Sequence, residues 1–148
     1  MKRMLFGTLS GLILLIAASS DAPAQQFDGP GIYNVDSLLE AHPLAKDQPS
    51  RSDEIGYDSL SSVHLIQVRD AVPRHHHAHH DENVMIVRGA GQMELGGVRQ
   101  RVKAGDVIHI PRGTPHAFHS LGSVPAVAIV VYAPGFDPKD RIPHPDSE

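Results

Sequence analysis

From Tyr57 onward, short apolar runs are broken by Gly, Pro or Asp about every eight to twelve residues, too often for a helix to complete its turns. Seven runs read as strands: Val63–Arg69, Glu82–Arg88, Gly91–Leu95, Val98–Lys103, Val107–Ile110, His116–Ser120 and Val124–Tyr132. Between the third and fourth stands Gly96-Gly97, a two-residue hairpin signal, because glycine alone reaches at no steric cost the positive φ such a turn demands. Thirteen Gly and twelve Pro in 148 residues fit the same picture of many turns. The expected fold is therefore all-β, a sandwich or barrel.

Three Tyr, four Phe and no Trp leave most of the packing to small aliphatic side chains. A net charge of −4 offers no basic stripe for a phosphate backbone, so nucleic acid is not an expected partner. The first 24 residues set Lys2 and Arg3 before an apolar run from Leu5 to Ala18 and end in Ala22-Pro23-Ala24. That is the pattern of a secretory signal peptide cut before Gln25, and the run is shorter than the ~20 residues a spanning helix needs. The mature protein is expected to be exported, periplasmic or secreted, with no membrane partner. It has no Cys, so neither a disulfide nor a thioether-linked lipid is available to it. Residues 25–52 read as a lead-in with one short helix near Asn34–Glu40, residues 53–134 as the barrel, and residues 135–148, rich in Pro and charge, as a surface tail.

The stretch Arg74-His75-His76-His77-Ala78-His79-His80-Asp81-Glu82 holds five histidines in six residues, followed by two acids. Side chains at i and i+2 of a strand share a face, so His75 and His77 can aim inward together while His76 points out. Glu82 opens the next strand and can add an anionic oxygen, which gives a two-His, one-carboxylate set suited to a transition metal. A solvated run of imidazoles that scavenges metal is the competing reading. So is a pH-sensitive patch titrating near pH 6.5. Further along, Gly105-Asp106-Val107-Ile108-His109-Ile110-Pro111-Arg112-Gly113-Thr114-Pro115-His116 holds a glycine turn, a short strand and a tight Pro-x-Gly turn. His116 then begins the returning strand at a fixed inward position.

Together these segments resemble the cupin superfamily, small jelly-roll barrels with the motifs G-x5-H-x-H-x3,4-E-x6-G and G-x5-P-x-G-x2-H-x3-N. His75, His77, Glu82 and Gly89 meet the first, and Gly105, Pro111, Gly113 and His116 the second; Arg69 replaces the leading Gly and Ser120 the closing Asn. The resemblance covers roughly Val63 to Tyr132. It implies a cupin barrel with His75, His77, Glu82 and His116 as ligands of one divalent ion, with Mn, Fe, Zn, Cu and Ni all used among cupins. It also implies a small-molecule ligand or substrate, and a homodimer through an edge strand could form.

Other side chains have assigned places. His79 and His80 are expected in an exposed loop, His109 as a satisfied barrel histidine and His119 facing out. Phe118 shares the inward face of His116, and Val84, Ile86 and Ile108 are expected to pack around the ligands. Arg88 and Arg112 read as surface charges near turns, or as contacts for an anionic substrate at the rim. Glu94 and Tyr132 are candidate helpers. Two functions fit: a metal-dependent enzyme of oxygenase, isomerase or lyase type, or a non-catalytic metal- or small-molecule-binding module.

Overall fold

The computed structural model describes residues 30–145. The expected leader, residues 1–24, lies outside the described residues. One helix opens the described chain, α1 (Val35–Ala41), with the Asn34 side chain accepting from the N–H groups of Asp36 and Ser37 at its N-cap. Ten strands follow: β1 (Ser50–Tyr57), β2 (Ser62–Val68), β3 (Ala71–His77), β4 (Asp81–Arg88), β5 (Ala90–Leu95), β6 (Val98–Lys103), β7 (Val107–Ile110), β8 (His116–Ser120), β9 (Ala126–Ala133) and β10 (Arg141–Pro143).

These strands form two five-stranded antiparallel sheets, β1-β2-β9-β4-β7 and β10-β3-β8-β5-β6. The inner faces enclose the core, in which Val84, Ile86 and Ile108 pack with Met93, Ile110 and Val130. The result is a jelly-roll barrel, an all-β fold. Gly96 and Gly97, with φ of 57° and 88°, make the turn between β5 and β6. Strand β9 starts at Ala126 rather than Val124, because Pro125 has no N–H to give the ladder.

Three strands were not among the expected seven. Strand β1 has no fully buried residue and no clean apolar alternation, so its sequence reads as loop; it is extended because β2 offers a free edge, which it pairs from Ser50 opposite Val68 to Tyr57 opposite Ser62. The end of the lead-in thus completes the barrel of its own chain. Strand β3 carries the histidine run, whose polar composition hides its strand character. From Pro134 on, the stretch expected as a surface tail adds a 3-10 turn at Pro138–Asp140 and strand β10, which pairs Arg141 with His77 and Pro143 with His75.

Helix α1 covers the outer face of the first sheet, where Leu38 meets Leu65 and Val127. Leu65 is fully buried there, so Leu65→Ala is expected to lower stability by about 2–5 kcal/mol through lost burial and a residual cavity. A shifted urea midpoint with an unchanged slope would register it.

Candidate metal centre

Three strands and both sheets supply the buried polar cluster. His75 and His77 point inward from the end of β3, His116 stands opposite His75 at the start of β8, and Glu82 reaches across from β4 of the other sheet. All four are buried, and their ligand-type atoms lie within 4.8 Å of one another, a grouping that could hold a metal ion. The rings of His75 and His116 are 4.2 Å apart between centroids, those of His75 and His77 5.0 Å.

Each imidazole is oriented by a backbone carbonyl behind it. His75 Nδ1–H donates to the Pro73 carbonyl at 2.8 Å, His116 Nδ1–H to that of Thr114 at 2.9 Å, and His77 Nδ1–H to that of Asp140 at 3.0 Å. A carbonyl can only accept, so these bonds place the proton of each neutral ring on Nδ1 and leave the lone pair on Nε2. The Nε2 atoms of His77 and His116 lie 3.4 and 3.1 Å from Glu82 Oε2, yet all three atoms are buried without a hydrogen-bond partner. Lone pairs of imidazoles and a carboxylate therefore face one another in a dry place. Such an arrangement is stable only with positive charge at the point of convergence. The donor set, three neutral nitrogens and one anionic oxygen, fits a divalent transition metal.

The electrostatics agree with that. Burial and the neighbouring His116 push His75 down to about 3, so its ring stays neutral at physiological pH. Burial alone would raise Glu82, but it is held down at about 2 where His116 and His77 turn protonated nitrogens toward it, the positive charge that a bound ion would replace. Tyr132, paired with Glu82 across β4 and β9, has its hydroxyl 3.5 Å from Glu82 Oε1; burial and the carboxylate push it well above 10 and keep it protonated. Of the two expected helpers, Tyr132 is thus at the site. Glu94 is not: it lies between Arg74 and Arg99, each 3.0 Å away, and does not border the cavity.

The cavity adjoining the cluster has a volume of about 530 Å³. His75, Glu82 and His116 border it, with Met93, Phe118 and Val130 among its apolar walls. Phe118 thus faces inward as expected, while His119 and His79 are exposed. His109 is exposed too and bonds Asn83 at 2.9 Å, so it sits on the outer face of its sheet rather than in the barrel. Arg88 and Arg112 pair with Asp36 and Asp81 at the surface.

His80 departs from expectation most. It is buried, not in an exposed loop, with Nδ1–H bonded to the Asp140 carboxylate and Nε2 2.9 Å from the Gly135 carbonyl. Asp140 also accepts from the N–H groups of Ala78 and His79 at 3.0 and 2.9 Å, and its own carbonyl is the one that orients His77. His77, His80 and Asp140 form a second convergent trio, but here hydrogen bonds already occupy the facing atoms. Sequence reasoning missed Asp140, because nothing local marks an acid in a Pro-rich tail as the partner of a histidine 60 residues earlier.

Comparison with known proteins agrees with the fold and the motifs. Residues 62–132 match the family model described as a cupin domain. The chain is a member of the cupin superfamily. An uncharacterised protein of Aquifex aeolicus (strain VF5) is 24% identical over 116 residues, covering 75% of this cupin and 95% of that protein. Among solved structures, an uncharacterised conserved protein with a double-stranded β-helix domain from Klebsiella pneumoniae has a TM-score of 0.63 at 21% identity, covering 72% of this chain and 92% of its own. Pac13, a nucleoside dehydratase, has a TM-score of 0.50 at 19% identity, covering 63% and 88%. At these identities the structural likeness speaks for the fold alone.

Asp140→Ala would strip an acceptor from two backbone N–H groups and from His80. A loss of about 1–3 kcal/mol in folding stability is expected, read from urea unfolding.

Proposed function

We propose that this cupin is a metal-dependent enzyme acting on a small molecule held in the barrel cavity, with His75, His77, Glu82 and His116 as the ligands of one divalent transition metal. One observation carries the reading: buried lone pairs on His77, His116 and Glu82 converge without a partner, with the protons of the rings held on the far side by backbone carbonyls. Bound there, such an ion would polarise a carbonyl or activate water or dioxygen. The chain's own residues do the rest. His75, Glu82 and His116 face the cavity, so a ligand in it lies beside the ion; the apolar walls exclude water and strengthen every charge interaction at that end. The Tyr132 hydroxyl, kept protonated, can donate a hydrogen bond or a proton next to Glu82.

The non-catalytic binding module remains the second reading, and the cavity beside the cluster favours chemistry on a guest over storage of an ion. Two facts support the first reading at the level of the superfamily: cupins bind small molecules, and a relative in fold, Pac13, is an enzyme. Export is part of the proposal on the strength of the leader pattern in residues 1–24. Mass spectrometry of the protein from its own secretion route should find an N-terminus at Gln25; retention of Met1 in the exported fraction would rule the processing out.

Elemental analysis of untagged protein should return about one equivalent of a single metal. The His75→Ala, His116→Ala double variant should return almost none. Equal metal in both would assign the ions to the exposed histidines instead. Supplying that ion to chelated protein at about 100 times its Kd should add about 2.7 kcal/mol of stability, seen as a higher Tm that chelation reverses.

A further inference from the structure

The metal reading leaves one charged side chain at the cavity without a task. Arg141 borders the cavity from β10, in register opposite His77, and its charge is felt by both His75 and Tyr132, which places it at the metal end. Among the described residues no carboxylate pairs with it. The other arginine on the cavity, Arg51, is held by both oxygens of Asp53, Nε at 2.8 Å and Nη2 at 2.7 Å. Arg74, Arg88, Arg99 and Arg112 are likewise matched with acids, Arg69 donates to four backbone carbonyls of the lead-in, and Arg101, exposed on β6, does not border the cavity. Arg141 is exposed at the open edge of the cavity, and among the described residues no acid ties its guanidinium down there.

The charge balance points the same way. Three neutral imidazoles and the Glu82 carboxylate leave a divalent ion with one positive charge uncompensated, and Arg141 adds another, in a protein whose net charge is −4. We infer that the cavity selects small carboxylic acids, the carboxylate gripped by the planar fork of Arg141 and the body of the molecule lying against the apolar wall beside the metal. This deepens the proposed function and rests on it. A guanidinium presents parallel N–H donors that match the two oxygens of a carboxylate. A phosphate monoester carries a third oxygen and nearly two charges, which the apolar wall beside the ion would leave without donors. At about 530 Å³ the cavity is within the range of pockets that enclose a small organic molecule. Arg141 is a specificity residue in this account, with no part in holding the metal.

The test is calorimetric titration of the zinc-loaded protein with three probes of similar size, benzoate, benzamide and phenyl phosphate, beside the Arg141→Gln and Arg141→Lys variants. Zinc content and Tm are measured on the same samples, which shows whether each variant is folded and loaded. Benzoate is expected to bind most tightly. Arg141→Gln should weaken benzoate roughly 10- to 100-fold, as for loss of a charged hydrogen-bonding partner, leave benzamide unchanged, and keep full zinc. Arg141→Lys should recover part of the loss, since it restores the charge without the fork. Benzoate binding that is undetectable, no stronger than benzamide, or equal in wild type and Arg141→Gln would overturn the inference while zinc stayed bound. Preference for phenyl phosphate would overturn the carboxylate class. Protein that retains no zinc or other divalent ion would instead bring down the metal reading and this inference with it.

Discussion

Three backbone carbonyls govern this site. By taking the Nδ1 protons of His75, His77 and His116 they leave the Nε2 lone pairs to converge, and those of His77 and His116 meet Glu82 Oε2 as buried atoms without a hydrogen-bond partner. An uncompensated convergence of that kind would destabilise the fold, since buried polar atoms without partners each cost free energy. The barrel therefore holds ready a place for positive charge. A chain with no cysteine gains from it as well, because an ion bound only by the folded state adds its binding energy to stability.

Two of these carbonyls are local and one is not. His75 and His116 each bond the carbonyl two residues back along the chain, so the short segments Pro73–His75 and Thr114–His116 orient their own rings. The third, His77, depends on Asp140, which arrives from the end of the chain after a stretch that includes β9. The Asp140 carboxylate is fixed in turn by His80 and by two N–H groups of the β3–β4 connection. The same return of the chain lays Arg141 along the cavity. The orientation of His77, the burial of His80 and the place of the Arg141 guanidinium are thus all set by one excursion of about ten residues that pairs with β3.

Seven strands were legible because their apolar residues and glycine turns lie in sequence, and the period-2 alternation predicts the inward faces of β4, β7 and β8 without knowledge of their partners. The candidate cluster was legible for a related reason: His75 and His77 are two residues apart, and Gly105, Pro111 and Gly113 set the turns before His116. Strands β1 and β10 were not, since their exposed and half-buried residues give no alternation and only a neighbouring edge makes them extended. His80 was misplaced because its burial depends on a partner 60 residues away.

By itself, then, the sequence determined an all-β sandwich or barrel, its hairpin at Gly96-Gly97 and the positions whose side chains share the inner face, because these follow from local backbone sterics and from periodicity. Which protons sit on the imidazoles, that Asp140 stands behind His77 and His80, that Tyr132 rather than Glu94 reaches the cluster, and that Arg141 alone of the cavity arginines lacks an acid were decided by tertiary structure. Each of these depends on which distant groups share a hydrogen bond or a charge in the closed barrel, and such pairing leaves no trace in local spacing.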